Sequence, residues 1–372
     1  MTNTELLLNA NVGDVITITR DYFVLSDAAA YSVASAENSV EPKGKDKVKV
    51  FIDHETPCGS EVVAAQQKQL IEYAVKYGLE LHNGYGTNYQ IMLEKHVKPG
   101  QIVAHCGDFG SIYGAVNAAA VKLSVDEMCK ALASGEVKMT VPEKTGLKLS
   151  GKLPANACAK DAVLTVLAAL GNVNGKLLIV DGCELEGSER IAFFQQLSAC
   201  GCLAALPGEA GENAVCFDLA SVVPVVSRPE DILKVAPAAE LSNIPVTAVF
   251  VGGCSAGRIE DIRTAAAVVN GKHVSRKVRA TVAFASTDVY IQAANEGLIN
   301  ILFDAGVIVM NQGCSACYAH SQGLVDGKDT VLSAGSRVCP NSNGGGDAVT
   351  YLCSAATAVT SAIAGHVCAA EG

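Results

Sequence analysis

Three cysteines that follow apolar runs at glycine turns constrain this chain more than any other feature. Cys254 comes after Val246–Val251, while Cys314 and Cys317 come after Val307–Met310. Short apolar runs bounded by glycine are typical of buried strands. Three thiolates presented from two strand-to-loop junctions can hold three irons of a cubane iron–sulfur cluster. The fourth iron would then be open to substrate.

The spacing of Cys314 and Cys317 alone leaves other interpretations open. A Cys-x-x-Cys pair is also found in redox-active dithiols and as half of a zinc site, and it occurs by chance. A closed zinc site therefore stays an alternative to the cluster at this stage.

Composition limits the class of protein. The 372 residues predict two or three domains, and the net charge of −10 argues against nucleic-acid binding and against anionic membrane surfaces. No apolar stretch is long enough to span a membrane, and no secretory signal is evident at the start. Fourteen cysteines in a chain of this length favour thiols, metal ligands or catalytic sulfur in a reducing cytoplasm.

Strands and helices alternate along the chain, which predicts an α/β protein built from three-layer α/β/α domains. The predicted units are residues 1–155, 156–242 and 243–372. Within the first unit, Val137–Val141 and Gly146–Leu149 are expected to pair with each other. The strand Val48–Ile52 delivers Asp53-His54 at its carboxyl end, where open α/β sheets place their chemistry.

The motifs together resemble those of the aconitase superfamily, most closely the large subunit of 3-isopropylmalate dehydratase. Phe250–Arg263 reads FVGGCSAGRIEDIR and resembles the first cluster-ligand motif, which includes Arg258. Gly313–Cys317 reads GCSAC and resembles the second. Asp53-His54 resembles an active-site pair, and these similarities follow the family's order over nearly the whole chain.

The resemblance implies three α/β domains packed around one 4Fe–4S cluster held by Cys254, Cys314 and Cys317. It implies a hydro-lyase that acts on a small hydroxy-carboxylic acid, and a fourth, swivelling domain that the family often supplies as a separate small subunit. That domain carries the serine base in the family. By the same resemblance, His54 would hold or protonate the departing oxygen and Asp108 would orient a neighbour.

Departures from the family pattern concentrate in the active site. Tyr89-Gln90 replaces a His-Gln pair, and Asp108–Ser111 keeps only the aspartate of Asp-Ser-His-Thr. Ser336–Cys339 keeps one arginine, Arg337, as a candidate carboxylate clamp. The cluster motifs are retained while proton-transfer groups are replaced, which favours a working site with an altered substrate. His82 and His105 flank altered motifs and are either replacements for the lost histidines or structural residues.

Three further cysteines, Cys58, Cys106 and Cys339, fall beside the altered motifs. They are either space-filling thiols or part of the substrate pocket as an acid, a base or an extra ligand. Two alternative functions stay open. One is a cluster-dependent lyase or isomerase of a sulfur- or nitrogen-containing acid, and the other is a non-catalytic iron–sulfur subunit.

Overall fold

The computed structural model describes residues 2–28, 31–35, 39–319, 321–338 and 343–370. Its strands are β1 (Val15–Ile18), β2 (Tyr22–Ser26), β3 (Val48–Ile52), β4 (Glu80–Asn83), β5 (Ile102–His105), β6 (Ala119–Lys122), β7 (Val137–Thr140), β8 (Lys144–Ser150), β9 (Leu177–Asp181), β10 (Ala204–Pro207), β11 (Val215–Asp218), β12 (Val225–Arg228), β13 (Asp231–Pro237), β14 (Ala248–Val251), β15 (Arg279–Val282), β16 (Ile308–Val309), β17 (Thr330–Ser333) and β18 (Val349–Leu352).

The α-helices are α1 (Asn3–Asn9), α2 (Glu61–Tyr77), α3 (Asn88–Lys95), α4 (Val125–Ser134), α5 (Ala159–Leu170), α6 (Gly187–Leu197), α7 (Gly253–Ala256), α8 (Ile259–Val269), α9 (Thr287–Asn295), α10 (Leu298–Asp304) and α11 (Ala355–Ala364). Several begin at a hydroxyl N-cap, as α2 does at Ser60 and α3 does at Thr87. Such side chains satisfy amide groups that the first helical turn leaves free. Among the described residues, no helix has both the length and the apolar character needed to cross a membrane.

The first sheet has the strand order β4-β3-β2-β5-β6, and all of its pairs are parallel. Successive side chains of a strand point to opposite faces. On β3, Val50 and Ile52 join one apolar core while Phe51 joins another. The sheet is therefore covered on both faces, which explains why four of the five β3 residues are apolar and Lys49 is the exception.

The second sheet has the order β10-β9-β8-β11 and is also parallel. The expected pairing of Val137–Val141 with Gly146–Leu149 is wrong. Strand β7 pairs antiparallel with β1 near the amino terminus, and β8 pairs with β9 and β11. The second sheet thus includes a strand that the predicted boundary at 155 assigns to the first unit.

The third sheet has the order β16-β15-β14-β17-β18, with β14 at its centre. Helices α8 and α11 contact each other over the largest core of the molecule. The predicted α/β class is confirmed, since three parallel sheets are connected by helices.

The carboxyl ends of the first and third sheets face each other. The amide of Thr87 donates to the carbonyl of Ala285 at 2.8 Å, and the amide of Thr287 donates to the carbonyl of Tyr85 at 2.8 Å. Helix α6 of the second unit contacts α7 of the third. Loops of all three units are therefore held together at one place, and the candidate site lies there.

Candidate functional site

Asp53-His54 lies directly against the second cysteine motif. The amide of Cys314 donates to the carbonyl of Asp53 at 3.1 Å. A Cβ atom at Gly313, whose φ is +128°, would come within 2.8 Å of that carbonyl. Only glycine combines this backbone conformation with so close an approach, so the glycine before Cys314 is needed to seat the motif on the Asp53 turn.

The Asp53 carboxylate positions the His54 ring. Oδ1 of Asp53 lies 2.8 Å from Nδ1 of His54 and accepts a hydrogen bond from the Ser26 hydroxyl at 2.9 Å. Oδ2 accepts bonds from the amide of Asn88 at 2.7 Å and from its side chain at 2.8 Å. The Asn88 amide belongs to the first turn of α3, where free N–H groups favour a negative charge.

A second carboxylate adds to this arrangement. Oδ1 of Asp27 lies 3.2 Å from Nδ1 of His54 and accepts the His54 amide at 3.1 Å. Burial by itself would lower the pKa of His54, but the charges of Asp53 and Cys314 and the hydrogen bonds with both aspartates raise it well above its ordinary value. Burial would raise the pKa of Asp53, and His54 and Asn88 reverse this and lower it to about 2.

The raised pKa favours the protonated form of His54, whose Nδ1 is turned toward the carboxylates of Asp53 and Asp27. The ring also lines the neighbouring cavity, and a ring nitrogen of His54 lies within 4.8 Å of the Cys314 sulfur. Tyr318 packs edge-on against the ring with its centroid at 5.0 Å. The arrangement can hold a proton at Nε2 and deliver it to a bound group.

The three predicted ligand cysteines come together at the ends of the third sheet. Cys254 is buried in α7, which follows β14, and Cys314 and Cys317 bound a single 3₁₀ turn. Burial, followed by the charges of Cys314 and Cys317, raises the pKa of Cys254 to about 12. Cys254 is buried, and Cys314 and Cys317 are partly buried. Three thiols this close together are costly as anions, so this donor set calls for a positive partner.

The surroundings fit an iron–sulfur cluster better than they fit a hydrophobic filling. Oε1 of Gln195 and Oγ of Ser315 are buried, and among the described residues neither makes a hydrogen bond. Nε2 of Gln195 lies 3.6 Å from the Cys254 sulfur. Buried polar atoms are rarely left without partners in native proteins, and three thiolates are soft ligands that suit iron–sulfur clusters.

A buried lysine of the second unit, Lys160, hydrogen bonds to residues next to the cysteine site. Nζ of Lys160 donates to Gln196 Oε1 at 2.6 Å, to Ser255 Oγ at 2.8 Å and to the Gly335 carbonyl at 2.6 Å. Burial lowers its pKa to about 8, and the charges of nearby cysteines, Cys317 first, oppose that shift. Lys160 therefore holds the residue after Cys254 and the Gly335 loop together, and it brings a positive charge near the thiols.

A cavity of about 210 Å³ opens beside His54. It is lined by Val24, Ser26, Ala28, His54, Asn88, Tyr89, His105, Cys106, Gly107, Asp108, Tyr318 and Arg337. Five residues singled out from the sequence, His54, Tyr89, Cys106, Asp108 and Arg337, therefore line one space. The volume suits a small organic acid rather than a nucleotide-sized ligand.

Asp108, Lys122 and Arg337 form a charged rim on this cavity. Nη2 of Arg337 lies 3.0 Å from Oδ2 of Asp108, and Nζ of Lys122 donates to Oδ1 of Asp108 at 2.8 Å. The Arg337 guanidinium also lies over the Phe109 ring at 5.0 Å. Burial would raise the pKa of Asp108, but Lys122 and Arg337 outweigh it and lower the pKa. Asp108 therefore orients Arg337, the group that can meet a carboxylate.

Tyr89 supports the rim from behind. Its hydroxyl accepts the amide of Phe109 at 3.0 Å, and burial raises its pKa above the ordinary range. His105 also lines the cavity, with Nδ1 accepting the amide of Gly107 at 3.2 Å. Burial, with help from Lys122, lowers the pKa of His105 to about 4. His105 is thus a neutral ring whose Nδ1 is occupied.

Two other predicted pocket residues are structural neighbours of the site. Gln90 does not line the cavity and donates to Glu94 at 2.9 Å. Arg258 is buried and donates to the carbonyls of Cys254 at 2.6 Å and Ser255 at 2.9 Å. Arg258 therefore fixes the backbone of α7 around the ligand cysteine.

The three extra cysteines differ. Cys106 lines the cavity, and burial raises its pKa to about 12, so it is a poor thiolate. Cys58 is exposed and does not line the cavity. Cys339 lies outside the described residues.

Sequence reasoning missed several residues that complete the site: Ser26, Asp27, Asn88, Tyr318 and Lys160. Asn88 follows a glycine turn and an N-cap threonine, a signal that was available. Asp27 follows β2, beside the strand that carries Asp53, and the shared sheet edge could have pointed to it. Nothing local marks Tyr318 as a partner of His54.

Comparison with known proteins decides the family. A sequence model of the aconitase family (aconitate hydratase) matches residues 26–182 and 218–365. The chain belongs to the aconitase family. Both motif groups, Asp53-His54 and the three cysteines, lie within the matched residues, and membership makes the chain an aconitase-like lyase.

Individual aconitase-family relatives are similar over almost their full length. The 3-isopropylmalate dehydratase large subunit 2 of Archaeoglobus fulgidus is 30% identical over 394 residues, covering 96% of this chain and 94% of the relative. The homoaconitase large subunit of Thermus thermophilus is 28% identical, covering 96% and 93%. The predicted family is confirmed.

A solved structure supports the aconitase fold independently. The holo-form of Thermococcus kodakaraensis aconitase X superposes with a TM-score of 0.55 and 13% identity, covering 90% of this chain and 87% of that one. At this identity the likeness concerns the fold alone.

Proposed function

We propose that the chain is the large subunit of an iron–sulfur hydro-lyase that adds water to, or removes it from, a small hydroxy-carboxylic acid. One observation carries the proposal: the Asp53 carbonyl accepts the Cys314 amide, which seats an acid–histidine pair beside a three-cysteine site and an open cavity. The names of the relatives, 3-isopropylmalate dehydratase and homoaconitase large subunits, support the same reaction class.

Cys254, Cys314 and Cys317 would hold a 4Fe–4S cluster. When bound, such a cluster supplies a Lewis-acidic iron that polarises a substrate hydroxyl. The Ser315 hydroxyl could donate a hydrogen bond to its sulfurs, and Nε2 of Gln195 already lies 3.6 Å from the Cys254 sulfur. Lys160 would offset part of its negative charge from the side of the second unit.

His54 would deliver a proton from Nε2 to the departing hydroxyl in dehydration, which leaves as water, and would take the proton back in hydration. Asp53 and Asp27 keep Nδ1 protonated and the ring fixed, so that Nε2 keeps one direction. The substrate carboxylate would meet Arg337, already oriented by Asp108.

The proton of the adjacent carbon needs a base. Among the described residues that line the cavity, His105 has Nδ1 occupied and Cys106 has a raised pKa. A base from a separate small subunit with a swivelling domain fits this arrangement. Because the charged rim offers one arginine among the described residues, the substrate is expected to carry fewer carboxylates than citrate.

Anaerobic reconstitution with iron and sulfide tests the proposal. The reconstituted chain, alone and with a candidate small subunit, is mixed with a panel of hydroxy acids, thiol acids and amino acids, and alkene formation is followed by ultraviolet absorbance. We expect turnover of a hydroxy acid only when both subunits are present, and a cluster spectrum that shifts when the acid is added.

Other outcomes point to the alternatives. Turnover restricted to thiol or amino acids would replace the hydro-lyase by a lyase or isomerase of those acids. A cluster spectrum that is indifferent to every acid would indicate a non-catalytic subunit.

A further inference from the structure

A second group of metal-binding side chains lies away from the aconitase-type site. Glu80 and His82 are on β4, and His96 follows the end of α3. Strand β4 is the edge of the first sheet, and residues two apart on a strand face the same way. Helix α3 begins at Asn88 in the candidate active site, and its eight residues carry His96 about 12 Å from there.

The three side chains converge on one point. Nε2 of His82 lies 2.9 Å from Oε1 of Glu80, and Nε2 of His96 lies 3.2 Å from the same oxygen. All three potential ligand atoms lie within 4.8 Å of one another. Ligands of tetrahedral zinc, with bonds near 2.0–2.2 Å, stand about 3.3 Å apart, so small side-chain movements would suffice for binding.

The environment of His96 Nε2 favours a bound ion over a set of hydrogen bonds among Glu80, His82 and His96. The nitrogen is buried, and among the described residues it makes no hydrogen bond although the Glu80 oxygen is near. At 3.2 Å a missing hydrogen bond means that the ring nitrogen does not point at the oxygen. The buried His96 nitrogen is therefore left without a hydrogen-bond partner among the described residues, and a bound ion would supply one.

Neighbouring groups hold the ligands in place. The His82 ring stacks on Phe51 with a centroid distance of 4.8 Å and an interplanar angle of 11°. His96 packs against Tyr22 with centroids 5.7 Å apart. Lys49 binds Oε2 of Glu80 and leaves Oε1 to the two histidines. Such outer partners orient metal ligands, while the positive charge of Lys49 limits how tightly a cation would bind.

We propose that Glu80, His82 and His96 bind a zinc ion, with water as the remaining ligand. Two imidazoles and one carboxylate suit zinc, whereas calcium and magnesium prefer oxygen ligands. The Glu80 side chain is 42% exposed, which gives the ion a path from solvent. The ion would join the end of α3 to the edge strand β4 and so stiffen the helix whose first turn holds Asp53.

The test compares zinc binding by the full chain and by single variants. The cluster is loaded first, under anaerobic conditions, so that its cysteines do not take up the added metal. Zinc alone is then titrated by calorimetry, and thermal unfolding is followed with and without zinc. Wild type is compared with His96→Gln, with Glu80→Gln and with His273→Gln, a matched change at an exposed histidine.

We expect one added equivalent of zinc to bind to wild type and to His273→Gln and to raise their melting temperatures. In His96→Gln and Glu80→Gln the affinity should fall by roughly tenfold or more. Cobalt(II) absorption gives a second reading, because imidazole and oxygen ligands lack the intense charge-transfer bands of thiolates. Equal zinc affinity in wild type and His96→Gln, or no binding by cluster-loaded wild type, would overturn the proposal.

Discussion

The histidine–cysteine centre is formed by Asp53, His54 and the three ligand cysteines and reaches the cavity through His54. The charged rim lies at the same cavity but is held very differently. Asp53 is 1% exposed and both of its oxygens are bonded. In the rim, the side chains of Asp108 and Arg337 are 49% and 28% exposed. A buried residue with several hydrogen-bond partners cannot be substituted alone without leaving those partners unpaired. A half-exposed residue can be, because water replaces the lost partner.

This difference explains where the chain departs from its relatives. The motifs that resemble the aconitase family are those that the backbone depends on, such as the Cys314–Asp53 contact. Of the altered motifs, Tyr89, Asp108 and Arg337 line the cavity, and the last two are partly exposed. Under the proposed function, the cluster-binding residues are kept while the groups that meet the substrate differ.

The largest expected effect is in the histidine–cysteine centre. Replacing Cys314 with serine should remove most of the bound iron and sulfide, because one of three thiolate ligands is lost. Iron and sulfide analysis after anaerobic reconstitution checks this, with Cys216→Ser, an exposed cysteine, as the control. Normal iron content in Cys314→Ser would break the assignment of the centre.

The next effect separates chemistry from cluster retention. In His54→Gln the cluster should remain while kcat falls about 10²- to 10⁴-fold, the range for loss of a general acid. Cluster absorbance and turnover measured on the same samples test this. A variant that keeps full kcat would remove His54 from the reaction.

Substitution of Lys160 measures how much its hydrogen bonds, which join the second unit to the cysteine loops, contribute to the free energy of unfolding. Lys160→Met leaves three acceptors, including the Ser255 hydroxyl, without their donor. Since each unpaired buried group costs about 1–3 kcal/mol, the free energy of unfolding should drop by about 3 kcal/mol or more. Urea denaturation measures the change. Lys176→Met, which removes only an exposed ion pair with Glu143, should change stability by under about 0.5 kcal/mol.

The pH dependence of stability tests whether His105, which lines the cavity outside the histidine–cysteine centre, is a buried neutral ring. The folded pKa of His105, about 4, lies below the ordinary 6.5, so the native state binds fewer protons than the unfolded chain. The stability associated with a neutral His105 is therefore present above pH 6.5 and is lost as the pH falls toward 4, by about 3 kcal/mol at most. His105→Asn should flatten the urea-derived stability profile in that window. A profile parallel to wild type would contradict the buried neutral ring.

The smallest effect belongs to the charged rim. Arg337→Lys should raise KM about tenfold, or about 1.4 kcal/mol, with little change in kcat, because binding is weakened equally in ground and transition states. Steady-state kinetics separates the two parameters. Cys58→Ser should change neither, since Cys58 lies outside the cavity. A large fall in kcat for Arg337→Lys would contradict the prediction that the charged rim contributes to substrate binding and not to the chemical step.

Much of this fold could be predicted because its signals are local. The apolar run before Cys254 predicts β14, and the predicted helix over Ile259–Val269 agrees with α8. Capping residues and apolar periodicity act within a few residues, so they are visible in the sequence. The three cysteines and Asp53-His54 were found for the same reason, since each follows a strand.

Pairing between distant segments was not visible. Strands β7 and β8 are adjacent in the chain, yet one pairs with β1 and the other with β9. Both read as short strands, and a strand's sequence carries little information about which distant edge will accept its hydrogen bonds. The choice depends on the faces that the completed sheets leave uncovered.

The sequence by itself determined the family and the α/β class and supplied the candidate site residues, because those are encoded in short motifs and periodic burial. Only the tertiary structure decided that Lys160 reaches the cysteine loops, that Asp108 holds Arg337, and that Glu80, His82 and His96 meet at a sheet edge. Such contacts join residues from different elements, and their distances follow from how the sheets and helices pack.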